Sequence, residues 1–131
     1  MAALPGGEAP SCARAGEALS NSVQGEFDGN GSMDLAMLIA SVDPADQRDR
    51  VELILLRDGR HWDFLAEMPR HTTALLGVLP RGSGVVTRRA GTEVLRSDGL
   101  MVARCDGPQQ RYVVVPSGSG WSKQWLSDIS R

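Results

Sequence analysis

The dipeptide Asp-Gly interrupts this sequence repeatedly, and it constrains the fold more than any other feature. It occurs at Asp28-Gly29, Asp58-Gly59, Asp98-Gly99 and Asp106-Gly107. Both residue types tolerate the positive φ angles that tight hairpins need. Because these turns leave room only for short elements, we expect the 131 residues to form a single domain, residues 1–131, that is mainly β and antiparallel.

Apolar and β-branched residues flank most of these turns. The nearly continuous apolar run in 51–57 predicts a central strand, and residues 61–68 follow it after Asp58-Gly59. Further strands are predicted at 72–79, 92–96, 100–105 and 111–115; residues 32–42 fit either a strand or a helix, and their neighbours favour a strand. Pro116 is expected to end the last strand, because proline lacks the N–H that a ladder uses. The pattern predicts an antiparallel meander of about seven strands, arranged as a sandwich or an open barrel.

Both ends of the chain differ from this hairpin pattern. Residues 12–23 are the best candidate for a short N-terminal helix, with Ser11 as its cap. Residues 121–130 are expected to form a short helix or a coil that Trp121 and Trp125 dock onto the body. Residues 1–10 are expected to be a flexible segment, the remainder of a cleaved leader.

Charge and hydropathy exclude two classes of partner. Residues 1–78 carry 6 basic and 12 acidic side chains, whereas residues 79–131 carry 8 and 4. The net charge of −2 and the scattered aromatic residues argue against nucleic-acid binding. No apolar run approaches the roughly 20 residues that span a bilayer. All but one of the basic residues are arginines, which favour contacts with proteins.

The two cysteines, Cys12 and Cys105, lie far apart in the sequence. A disulfide between them would tie the N-terminal segment to the body and contribute about 4 kcal/mol to stability. The alternative is a pair of unrelated buried thiols. The even count and the leader-like start favour the bond and an oxidising compartment.

The sequence gives little support for a catalytic site or a metal-binding site. Cys12, His61 and His71 could form a nucleophile and a base, but the residues around Cys12 lack the context of a papain-like nucleophile. Neither Gly-Ser-Gly triplet matches the nucleophile elbow of a serine hydrolase. The cysteine and histidine spacing fits no zinc site. We expect no enzymatic activity, no small-molecule substrate, no metal and no cofactor.

Residues 28–34, with the sequence DGNGSMD, resemble the first half of a calcium loop. Oxygen-bearing side chains occur at Asp28, Asn30, Ser32 and Asp34. The glycine expected at the sixth position of such a loop is missing, and so is the glutamate at the twelfth. We therefore interpret this stretch as a polar linker.

A Gly-Ser-Gly triplet, Gly82-Ser83-Gly84, follows Arg81 and precedes a valine pair, and a second triplet surrounds Ser119. The simplest interpretation is a permissive turn at the tip of a hairpin. The functional interpretation is a narrow probe, because two glycines leave one serine hydroxyl to enter a cleft of another protein. Arg81 would then donate hydrogen bonds to acidic groups of that partner.

Together, the leader-like start, the Cys12 and Cys105 pair, the hairpin pattern and the Gly82-Ser83-Gly84 triplet resemble a family of periplasmic immunity proteins. Members neutralise a peptidoglycan amidase effector that a type VI secretion system delivers. The resemblance implies a β-rich protein without enzymatic activity that plugs the Cys–His active site of its cognate papain-like amidase. It implies that Ser83 approaches the catalytic histidine, with Ser119 as the alternative.

Two other functions stay open at this point. The first is a periplasmic inhibitor of host lysozyme, which is also a small β protein with a serine-bearing loop. The second is a small hydrolase that uses Cys12 or a loop serine. A disulfide at Cys12 would exclude that residue as a nucleophile.

Overall fold

The structure is a computed structural model that describes residues 2–3, 18–42, 45, 49–69, 73–88, 91–104, 110–118 and 120–126. The strands in this part of the chain are β1 (Ala2–Ala3), β2 (Ser22–Gly25), β3 (Asp34–Val42), β4 (Asp49–Arg57), β5 (His61–Pro69), β6 (Ala74–Leu79), β7 (Gly84–Thr87), β8 (Gly91–Val94), β9 (Gly99–Arg104), β10 (Gln110–Ser117) and β11 (Gly120–Trp125). The described residues contain no helix, and hence none that could cross a membrane.

The strands form three antiparallel sheets. The first has the order β1-β3-β4-β5, with β2 pairing beside β1 along β3. The second has the order β11-β10-β9-β6, and β7 and β8 form a separate ribbon. The prediction of a mainly β, antiparallel chain is confirmed, but the count of about seven strands is not, since the described residues alone form eleven.

One core lies between the two larger sheets. Alternate residues of β3 and β4 are buried, as expected for strands with one face toward a core. Strand β9 pairs with β6 and β10 on its two edges and is buried over almost its whole length, so both of its faces are covered. The core comprises Phe27, Ala36, Leu38, Val51, Leu53, Leu55, Met68, Ala74, Leu76, Leu100, Val102, Tyr112 and Val114.

Two sets of contacts link the two larger sheets along their edges. On one side, Ser20 and Leu76 exchange backbone hydrogen bonds of 2.9 and 2.7 Å, and the N–H of Leu38 donates to the carbonyl of Asn21. This segment therefore links β3 to β6. On the other side, a side-chain contact joins β5 to β11, since the indole N–H of Trp121 donates to Asp63 Oδ2 at 3.1 Å.

The helix predicted for 12–23 is wrong in the part that the structure describes. Residues 12–17 lie outside the described residues. Residues 18–23 are not helical, because Ser20 hydrogen-bonds to β6 and Ser22 begins β2. Of the segment 1–10, the structure describes Ala2–Ala3, which pair with β3.

Residues 121–125 form strand β11, not the helix or coil predicted for the C-terminal segment. Trp121 and Trp125 do pack against the core, as expected. Pro116 does not end β10, which continues to Ser117. Beyond Val114, β10 pairs only with β11, and a strand with one neighbour tolerates proline.

Candidate partner-binding face

Five connections lie at one end of the two larger sheets, which we call the turn end. They are residues 26–33, 58–60, 80–83, 95–98 and the link between β10 and β11. The strand register explains their convergence. In the second sheet β6 ends and β9 begins at the pair Leu79 and Gly99, and in the first sheet β4 ends and β5 begins at Arg57 and His61.

Residues 80–83 form a turn whose backbone is held on several sides. The N–H of Ser83 donates to the carbonyl of Pro80 at 3.0 Å, and Gly82 has a φ of 89°, as a type II turn requires. The N–H of Gly82 donates to the carbonyl of Leu95 at 2.9 Å, and the N–H of Leu95 donates to the carbonyl of Ser83 at 3.0 Å. The 80–83 turn is therefore fixed to the segment that follows β8.

This arrangement corrects the predicted hairpin tip. Strands do flank the triplet, but β6 pairs with β9 and β7 pairs with β8, so the 80–83 turn connects two sheets. Arg81, Gly82 and Gly84 are exposed, whereas Ser83 is half-buried. The predicted hairpin between 92–96 and 100–105 is wrong for the same reason, because β8 and β9 belong to different sheets.

Asp98 holds two of the connections together. Its Oδ1 accepts from the N–H of Arg81 at 2.9 Å, and its Oδ2 accepts from the N–H of Glu26 at 3.0 Å. The Ser97 hydroxyl, which is buried, donates to the carbonyl of Phe27 at 3.2 Å. The Asp-Gly pair at 98–99 therefore acts as a brace between the two sheets and not as the turn of a hairpin.

The second Gly-Ser-Gly triplet also lies at the turn end. Pairing of Ser117 with Gly120 closes the hairpin of β10 and β11 over two residues, and Gly118 has a φ of 58°. Gly118 and Gly120 are exposed. Ser119 lies outside the described residues. Both triplets thus border the same end of the second sheet, which the sequence did not reveal.

Two of the grooves at the turn end share part of their lining. The first, of about 880 Å³, is lined by Val85, Val94 and Leu95, and Leu95 hydrogen-bonds to the 80–83 turn. The second, of about 550 Å³, lies between β5 and the link from β10 to β11. Asp28 and Pro116 line both grooves, so the two form one continuous surface.

Three carboxylates meet beside this surface. Oxygen atoms of Asp28, Asp34 and Asp58 lie within 4.8 Å of one another. Asp28 and Asp34 had been considered together as possible calcium ligands because of their spacing in the sequence DGNGSMD. Asp58 was missed, although pairing of β3 with β4 brings the end of β4 to the start of β3. Carboxylate oxygens are the ligands that Ca²⁺ and Mg²⁺ take.

Hydrogen bonds already engage these oxygens. Asp34, only 1% exposed, accepts from the N–H groups of Phe27 and Asp28 at 3.1 and 3.3 Å. The Asn30 amide donates to both oxygens of Asp58 at 2.9 Å. Burial raises the pKa of Asp34, and the charge of Asp28 adds to the rise, against the effect of the backbone hydrogen bonds. The cluster thus holds the 26–33 loop in place.

The residues considered for nucleophilic catalysis are not brought together by the described part of the chain. His61 is exposed at the start of β5. Cys12, Cys105 and His71 lie outside the described residues, and so does the predicted disulfide. No family model, curated protein or solved structure matches this chain.

Proposed function

We propose that this protein is an immunity protein without enzymatic activity. It binds and inhibits a secreted papain-like peptidoglycan amidase, the effector of a type VI secretion system. In this proposal it acts in the periplasm, with Cys12 and Cys105 bonded. The observation that carries the proposal is the rigidity of the exposed 80–83 turn at the turn end.

Four hydrogen bonds hold this turn in one conformation before any partner arrives. Three join Gly82 and Ser83 to Pro80 and Leu95, and the fourth joins the Arg81 N–H to Asp98. An inserting loop that is ordered in the free protein loses less conformational entropy on binding. An inhibitor needs this preorganisation, whereas a loop that only connects two sheets does not.

The side chains of the turn then take distinct roles. The Ser83 hydroxyl hydrogen-bonds the catalytic histidine of the amidase, and Gly82 and Gly84 keep the inserted segment narrow. Arg81, which is exposed, donates to acidic groups at the rim of the active site. Ser119 is the alternative probe, since its triplet also lies at the turn end.

The test is inhibition of a purified papain-like peptidoglycan amidase by the wild type and by Ser83→Arg. The larger side chain should obstruct insertion and weaken binding at least about 30-fold, which corresponds to a hot-spot loss of about 2 kcal/mol. The matched control is Thr73→Arg, which adds the same side chain to an exposed position at the opposite end of β6. This control should inhibit like the wild type.

The remaining outcomes separate the alternatives. Full inhibition by Ser83→Arg, together with its loss in Ser119→Arg, would transfer the probe to Ser119. Full inhibition by both variants would exclude the two triplets. If the wild type leaves the amidase active but blocks lysozyme in a turbidity assay, the protein is a lysozyme inhibitor.

A further inference from the structure

Three aromatic side chains lie together at the second groove, the one between β5 and the link from β10 to β11. Trp62 and Phe64 occupy alternate positions on β5 and are 55% and 58% exposed. Trp121 lines the same groove from the start of β11, where its indole is held by the hydrogen bond to Asp63. Large aromatic side chains left in water mark surfaces that bind.

The charges around the aromatic side chains indicate which kind of group the groove binds. Asp63 is already paired, because Arg57 Nε lies 2.7 Å from its Oδ2. Asp28 also lines the groove, and in the described part of the chain no lysine or arginine pairs with it or with neighbouring Asp58. The groove therefore has an excess of negative charge, which the Asp34 carboxyl behind Asp28 increases.

Aromatic faces and a carboxylate together bind cations. The ring quadrupole attracts a guanidinium or ammonium group that lies over its face. A carboxylate such as Asp28 accepts strong hydrogen bonds from the same group. An acidic side chain would be repelled from this groove by the same charges. A cation beside Asp28 would also relieve the repulsion among the three carboxylates.

We propose that the second groove binds an arginine or lysine side chain presented by an exposed loop of a partner protein. The inference rests on the proposed function only in taking the partner to be a protein. The second groove shares Asp28 and Pro116 with the first groove, whose wall includes Leu95, the residue that hydrogen-bonds to the 80–83 turn. One partner can therefore occupy the groove and the turn together.

The test uses the isolated protein and an acetylated, amidated Gly-Gly-Arg-Gly-Gly peptide. The chain has three tryptophans, at 62, 121 and 125, so their indole N–H signals can be followed individually by NMR. The peptide should shift the signals of Trp62 and Trp121 saturably, with a dissociation constant on the order of 1 mM. Trp125 packs against Tyr112 away from the groove, and its signal should not move.

A matched pair of variants tests the charge argument. Asp28→Asn keeps the oxygen that accepts from the N–H of Asn30 and should weaken peptide binding at least about fivefold. Glu93→Gln removes the same charge from the first groove and should change the affinity less than about twofold. Equal effects of the two variants would show that net charge alone governs binding and would overturn the proposal.

The peptide series gives the other decisive outcomes. Equal shifts with a Gly-Gly-Gln-Gly-Gly peptide, or none with the arginine peptide, would overturn the proposal. Shifts with tri-N-acetylglucosamine but not with the arginine peptide would identify a sugar-binding groove instead. Because no amidase is present, the two proposals fail separately: inhibition without peptide binding refutes the groove, and peptide binding without inhibition refutes the amidase.

Discussion

Gly99 is a buried glycine at the start of β9, and replacing it with alanine should destabilise the protein. A Cβ atom there would lie 2.6 Å from Cγ2 of Val113 and 2.9 Å from Cδ1 of Leu95. Carbon atoms in contact normally lie about 3.5–4.0 Å apart. Both neighbouring side chains are almost fully buried, and Cγ2 of a β-branched valine lies too close to its own backbone to swing aside.

The expected loss follows from two opposing effects. Overpacking a core costs about 1–3 kcal/mol. Alanine also restricts the unfolded chain more than glycine does, which returns about 0.4–1 kcal/mol. The free energy of unfolding should therefore fall by about 1–2 kcal/mol in Gly99→Ala. With an m-value of about 1.5 kcal/mol/M, the urea midpoint followed by tryptophan fluorescence should fall by about 1 M.

Gly77→Ala is the matched control in the neighbouring strand. There the new Cβ would lie 2.8 Å from Cδ2 of Leu19 and 3.1 Å from Cε of Met101. Both atoms are the far ends of flexible side chains, so this variant should stay within about 0.5 kcal/mol of the wild type. If Gly99→Ala is as stable as Gly77→Ala at an unchanged m-value, the packing argument is wrong.

Two further predictions concern the carboxylates. Raising the pH from about 4 to about 7 should lower the free energy of unfolding, because folding raises the pKa of Asp34 and the folded state therefore binds its proton more tightly. Asp28→Asn removes the neighbouring charge and should make this loss of stability smaller in urea titrations. An equal loss in the wild type and in Asp28→Asn would contradict the assignment to Asp34. Trp121→Phe removes the hydrogen bond to Asp63 and should lower the free energy of unfolding by about 0.5–1.5 kcal/mol. Trp62→Phe changes an exposed position and should lower it by less than about 0.5 kcal/mol. Equal urea midpoints for the two variants would contradict this prediction.

Strand positions were predictable where the signal is local. Residues 51–57 became β4 (Asp49–Arg57), residues 61–68 became β5 (His61–Pro69), and Asp58-Gly59 is the turn between them. Asp58 and Gly59 both have positive φ angles, of 54° and 68°. Such signals depend only on adjacent residues: alternating burial marks a strand, and a tolerated backbone conformation marks a turn.

The candidate face was only partly predictable. The exposure of Arg81 and Gly82 follows from the polar, glycine-rich sequence around them. Their rigidity does not, because it depends on hydrogen bonds to Leu95 and Asp98, which a later part of the chain supplies. The groove between β5 and β11 was missed because residues 121–125 were not predicted to be a strand.

The sequence by itself determined that the chain is antiparallel and mainly β, and where most of its turns lie. Only the tertiary structure decided which strands pair and which turns meet. Strand β9 pairs with β6, and at its first residue Gly99 leaves the space that Val113 of β10 and Leu95 occupy. Pairing between distant strands depends on how side chains fill a shared interior, and this packing cannot be read from residues that are adjacent in the sequence.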